Sequence, residues 1–202
     1  MLFRSLLIDL LFDALKAIIT HSPARPDEMI ELKPEEKKRR HDMAVLNSLL
    51  STIHIPSLDL HIEEAPFKIY NRIFYFWENY NTTMRNSLFY LYDLVLRDLV
   101  TQIHQYWGES LSYGHQYNSP PGRDVSFFHI PKGLPLRDDQ NKDWDAIKAA
   151  IAKLAKAMGD FLKYIRENYL EINLEETSRI AWNGYVEFER EMIKRLEGRG
   201  RQ

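Results

Sequence analysis

The sequence predicts an all-α fold, a single helical domain over residues 1–202 built as a bundle of about five long helices with one long Gly/Pro-rich loop. Three observations carry this. Apolar residues recur at spacings of three and four through most of the chain, the period of a helix with one buried face. Prolines and glycines gather at the breaks between those stretches. No repeat, low-complexity tract or linker divides the chain. Its 202 residues are enough to bury a large core without crosslinks. Cysteine is absent, which removes disulfides, thiolate metal sites and thiol catalysis and suits the cytoplasm. A net charge of -2 argues neither for a general nucleic-acid binder nor for an acidic tail, and leaves room for a local basic patch.

The first element is an N-terminal apolar helix within residues 1–22, ended by Pro23 and Pro26. Arg4, Asp9, Asp13 and Lys16 interrupt its Leu, Ile and Phe. A spanning helix needs about 20 mostly apolar residues and would bear two central carboxylates at high cost, so no membrane span is expected. A secretory leader would need an uninterrupted apolar centre. Asp9, Asp13 and Lys16 share one narrow face, leaving a broad apolar face for the protein's own core or a partner. Pro34 with Glu35 and Glu36 then opens a second helix, running to about Thr52 with Met43, Leu46, Leu49 and Leu50 inward. Its basic run, Lys37 to Arg40, reads as a solvated face partly neutralised by those glutamates.

Residues 53–65 alternate Leu58, Leu60 and Ile62 with Asp59, His61 and Glu63, a period of two that suits a short strand or an ordered linker. His54, Asp59 and His61 are metal-ligand types there, but they match no ligand spacing and read as surface residues. Residues 67–107 are dense in aromatics and form one or two long helices with a break around 79–86. Rings at this density dominate packing, so the stripe is core rather than a stacking platform. Beyond the break, Leu88, Leu91, Val95, Leu99 and Ile103 form a stripe widened by Leu96 and Val100. Asp93, Arg97, Thr101, His104 and Gln105 lie opposite, Asp93 and Arg97 at ion-pair spacing. Gly108 ends this helix.

Residues 108–142 hold four glycines and four prolines and form the long loop, anchored by the apolar residues of 125–130. Asp143 opens the next helix, which runs to about Tyr169 with Ile147, Ile151, Leu154, Met158, Phe161, Leu162 and Ile165 inside. Asn173 with Glu176 makes a near capping box for the last helix, whose buried face is Ala181, Tyr185, Phe188, Met192 and Leu196.

The sequence holds no phosphate-binding glycine loop, paired-histidine zinc motif, nucleophile elbow or EF-hand loop. What remains is an Arg and His pattern. Arg97-Asp98 followed by His104 resembles the motif of the HEPN family, helical-bundle proteins of defence and toxin–antitoxin systems; Arg123-Asp124 followed by His129 fits the same expression. The resemblance implies metal-independent cleavage of RNA by a dimer whose two motifs face one cleft. Under it, Arg97 and His104 are the catalytic pair and Arg123 and His129 the second candidate. The chemistry suits the residue types: an imidazole titrates near neutrality, and a guanidinium binds phosphate through paired donors. The reading placed first is a non-catalytic or degenerate HEPN-like interaction module; the endoribonuclease is the alternative. Neither needs a cofactor or a metal. A homo-oligomer or a protein partner is expected, with RNA as the partner under the alternative.

Overall fold

A computed structural model describes residues 33–130 and 135–199. The N-terminal apolar helix, with its narrow Asp9, Asp13 and Lys16 face, lies outside the described residues, as do residues 131–134 of the long loop. The chain separates into two compact units, Met1–Glu36 and Lys37–Gln202. In the first, Glu36 N–H donates to the Lys33 carbonyl at 2.9 Å. All that follows concerns the second.

The described residues are mostly helical: six helices and a small three-stranded sheet. The helices are α1 (Pro34–Leu50), α2 (Ile55–Glu64), α3 (Arg72–Met84), α4 (Leu94–Leu111), α5 (Asp138–Asn168) and α6 (Leu174–Arg199). The strands are β1 (Lys68–Tyr70), β2 (Tyr117–Asn118) and β3 (Val125–Phe128). Four of the helices are long, α1 with 17 residues, α4 with 18, α5 with 31 and α6 with 26; α2 and α3 have 10 and 13.

The centre of the core is the pairing of α4 with α5, the most extensive between any two elements. Leu96, Leu99, Val100, Ile103 and Trp107 of α4 meet Ile147, Ile151, Leu154, Met158, Phe161 and Ile165 of α5 in one buried cluster. Both rows repeat at three and four, the spacing that keeps a stripe on one face. Phe76 and Tyr80 from α3 complete it, and the Tyr80 hydroxyl donates to the Val100 carbonyl at 3.0 Å.

Several local expectations change. Residues 55–64 are a helix, not a strand or linker. Leu58 and Ile62 are four apart and satisfy both periods, but the buried set is Ser57, Leu58 and His61, which only a helix places together. Pro56 in the first turn suits a helix start. The break after α3 falls at residues 85–93, later than expected, so α4 begins at Leu94 and Leu88 and Val95 are exposed. Gly108 sits inside α4 rather than closing it. A Cβ there would lie 3.0 Å from two carbons of the Trp77 ring, so the glycine serves close approach.

Part of the long loop is sheet. Strand β3 lies between β1 and β2, antiparallel to both, with Ile69 opposite Ser126 and Tyr117 opposite Phe128. Strands of two to four residues give little periodicity to read. Helix α5 starts five residues before Asp143. Gln140 there accepts the Arg137 N–H at 3.1 Å and donates to the His129 carbonyl at 3.0 Å, tying the helix start to the end of β3. Asn173 does cap α6, accepting the Glu176 N–H at 3.0 Å. Among the described residues no helix is long and apolar enough to cross a membrane.

Candidate functional site

Arg97 lies in the first turn of α4, because Asp93 caps that helix by accepting the N–H groups of Val95 and Leu96 at 2.9 and 3.2 Å. Its guanidinium is exposed and sits 5.8 Å from the centre of the Tyr90 ring. His104 is two turns further on and turns inward to α3. Its Nε2 is 2.8 Å from Asn81 Oδ1, and its ring lies 4.9 Å from that of Trp77. Burial, and then the nearby Arg85 charge, push its pKa down. The arginine whose charge His104 feels is therefore Arg85. No hydrogen bond joins Arg97 to His104, and their neighbours differ.

The second pair is also parted. His129, just past β3, has its Nδ1 2.7 Å from Asn118 Nδ2, and its backbone N–H donates to the Gln116 carbonyl at 2.8 Å. Arg123 is exposed in the preceding turn, its N–H held by the Pro120 carbonyl at 3.2 Å. The metal-ligand types disperse as well. His61 is buried with Nε2 3.0 Å from Ser110 Oγ, whereas His54 stacks on Trp182 at 4.7 Å and Asp59 is exposed. In the basic run, Arg39 donates to the Asn168 carbonyl at 2.7 Å and to both Glu171 oxygens at 2.7 and 2.9 Å.

Asp93 does not serve as an ion-pair partner of Arg97. Besides capping α4, its carboxylate accepts the hydroxyls of Tyr164 and Tyr169 at 2.9 and 3.1 Å. Asp42 of α1, only 2% exposed, stands behind it and accepts the backbone N–H groups of Tyr92 and Asp93 at 2.7 and 2.9 Å. Two carboxylates thus fasten α1, α4 and α5 at one point. Nothing in the sequence marks it, since the partners of Asp42 are 50 and 51 residues away and Asp93 is 71 from Tyr164.

The other outstanding feature is a groove between α3 and α6 of about 790 Å³. The expected buried face of α6 holds only in its first half. Ala181 and Tyr185 are buried, but Phe188 is 45% exposed, Met192 40% and Leu196 63%, and Ile193 beside them is 56% exposed. The side chains are apolar at the right spacing; beyond Tyr185 this face of α6 is left exposed among the described residues. Phe74 and Tyr75 of α3 form the opposite wall, the Tyr75 ring 5.0 Å from that of Phe188. Gly184 lets the two helices close up, since a Cβ there would be 3.1 Å from the Tyr75 hydroxyl.

A polar cluster closes one end. Arg72 reaches Asp124 at 3.5 Å, donates from Nε to Ser57 Oγ at 3.2 Å, and lies 4.4 Å over the Tyr70 ring. With Ser57 Oγ accepting from Arg72, its proton goes to His54 Nδ1, 2.7 Å away. Burial, then the Arg72 charge, keep His54 below its usual pKa, which agrees with an accepting Nδ1. Burial pushes the Asp124 carboxyl up; Arg72 opposes this and Glu189 adds to it. Glu189 accepts the Tyr185 hydroxyl. Arg72, Asp124 and Glu189 each have a partner within this cluster. The chemistry on offer is an apolar trough with an acidic end.

No protein-family model, curated protein or solved structure matches the chain.

Proposed function

We propose that this chain is a non-catalytic helical interaction module, a degenerate relative of the kind the HEPN resemblance implies, which holds another polypeptide in the groove between α3 and α6. The cytoplasm and a defence or toxin–antitoxin setting belong to the same proposal. One observation carries it: four large apolar side chains, Phe188, Met192, Ile193 and Leu196, stand exposed in succession on one helix beside a groove whose other wall is aromatic. Soluble proteins leave such contiguous apolar surface mainly where something covers it. An amphipathic helix in an apolar groove is a recurrent mode of recognition.

A photo-crosslinking residue placed at Met192 and expressed in cells tests the reading. It should give a covalent adduct with another polypeptide, while the same residue at the exposed outer position Lys153 should not. No adduct from 192, or equal adducts from both positions, contradicts it.

The second reading, a metal-independent endoribonuclease, draws on two features. Arg97 is exposed in the opening turn of α4, and His104 is held below its ordinary pKa, hence neutral and able to accept a proton at neutral pH. Its test is cleavage of single-stranded RNA in EDTA, lost in His104→Ala.

A further inference from the structure

We propose that the occupant of the α6 face is a second copy of this chain, with the two α6 helices laid antiparallel about a two-fold axis near Met192. The inference rests on the reading of α6 as a docking surface and names its partner.

The charge order along α6 identifies the occupant. Before Met192, Glu187, Glu189 and Glu191 outnumber Arg190; after it, Lys194 and Arg195 come before Glu197. The exposed half of the helix therefore runs from acidic to basic. The groove shares the bias at the end where Asp124 and Glu189 line it, with Arg72 as the counter-charge of Asp124. A parallel copy would set acidic against acidic. An antiparallel copy brings its basic segment to the acidic end, and symmetry repeats the match at the other end.

The apolar row fits the same axis. In an isologous contact each residue i that meets j is matched by j meeting i. With the axis at Met192, Phe188 meets the partner's Leu196, the two Met192 side chains meet each other, and Glu189 meets the partner's Arg195. The row from 188 to 196 is about 12 Å long at the rise of an α-helix. Within one chain, Glu189 also accepts from Tyr185, and Arg195 lies 3.7 Å from Glu191. The latter is an exposed pair of the kind that contributes little, so both groups remain able to serve a partner. Neither Arg and His pattern lies on α6, so this pairing is distinct from one built around those residues.

Purified full-length protein is examined by light scattering on a sizing column across a range of micromolar loadings. The expected mass is twice the 24.0 kDa of the chain, falling to the single-chain mass in Met192→Glu with its circular dichroism unchanged. Glu189→Arg and Arg195→Glu should each run as single chains when alone, because each sets like charges together across the axis. Mixed in equal amounts they should form a dimer, since both cross-axis contacts are then of opposite charge. Effects confined to one helix cannot produce that rescue. A wild-type monomer at all loadings overturns the proposal, as does a dimer untouched by Met192→Glu, or single charge variants that dimerise like the wild type without mixing. If the wild type is monomeric while the 192 crosslinker captures a different polypeptide, this inference falls and the docking reading stands. If 192 captures nothing, both fall.

Discussion

Removing the Asp42 carboxylate tests the polar knot that joins α1, α4 and α5. In Asp42→Ala the backbone amides of Tyr92 and Asp93 lose acceptors at 2.7 and 2.9 Å in a position only 2% exposed. A hydrogen bond to a charged group contributes about 1.5–3 kcal/mol, and an orphaned buried donor costs a comparable amount. Two such bonds give an expected loss of about 3–6 kcal/mol, large against a typical total stability of about 5–15 kcal/mol. Asp42→Asn keeps one acceptor oxygen, uncharged, and should lose about half as much. Urea unfolding followed by far-ultraviolet circular dichroism reads both, with a lowered midpoint and an unchanged slope. Hydrogen exchange should localise the damage, with the Tyr92 and Asp93 amides losing protection first. A loss under about 1 kcal/mol in Asp42→Ala, or equal losses in the two variants, would refute the reasoning.

Burial holds His61 at a pKa of about 4, against 6.5 for the unfolded group, so the unfolded chain takes up its proton first as pH falls. Stability from this residue is complete above about pH 6.5 and is lost down to about pH 4, roughly 3 kcal/mol in all. His61→Leu should flatten the unfolding-against-pH curve in that window, and an unchanged slope would count against the burial argument. Gly108→Ala should destabilise by about 1–2 kcal/mol, because overpacking against the Trp77 ring at 3.0 Å exceeds the gain of about 1 kcal/mol in helix propensity; a raised melting temperature would show that Trp77 gives way. Leu99→Ala, in the middle of the α4–α5 interface, should cost about 2–5 kcal/mol by calorimetry, and a loss below about 1 kcal/mol would place that face outside the core. Single-stranded RNA should survive incubation with the protein in EDTA; cleavage lost in His104→Ala and kept in His129→Ala would instead establish the nuclease reading at the first pattern.

The long helices were readable because their burial is one-sided. In α5 the residues expected inside are those the fold buries or half-buries, since a 31-residue helix repeats its signal many times. Short elements gave no such repetition. Residues 58–62 satisfy a period of two and a helical period alike, and only the burial of Ser57 and His61 decides between them. Helix ends are hard to place where a residue type has more than one use. Asp93 looked like half of an ion pair, and Gly108 looked like a terminator.

The site was less legible than the fold. Asp42 works through backbone groups 50 residues away, and no local pattern announces that. The α6 row is apolar as its spacing predicts, yet Phe188, Met192 and Leu196 are exposed, because periodicity shows that a face is hydrophobic but not what covers it. The Arg and His patterns show the converse. Seven residues place Arg97 and His104 two turns apart, yet one packs on Tyr90 and the other on Trp77. Spacing alone does not make side chains converge.

Whether another polypeptide covers the α6 face, as proposed, can be measured in cells. Because the chain has no cysteine, Met192→Cys supplies a single thiol on that face and Lys153→Cys a single thiol on the exposed outer surface of α5. The rate at which a membrane-permeant maleimide labels each in intact cells measures the covering directly. Position 192 should react markedly more slowly than position 153 in cells, and the two rates should converge once the protein is denatured. Equal rates in intact cells would contradict it.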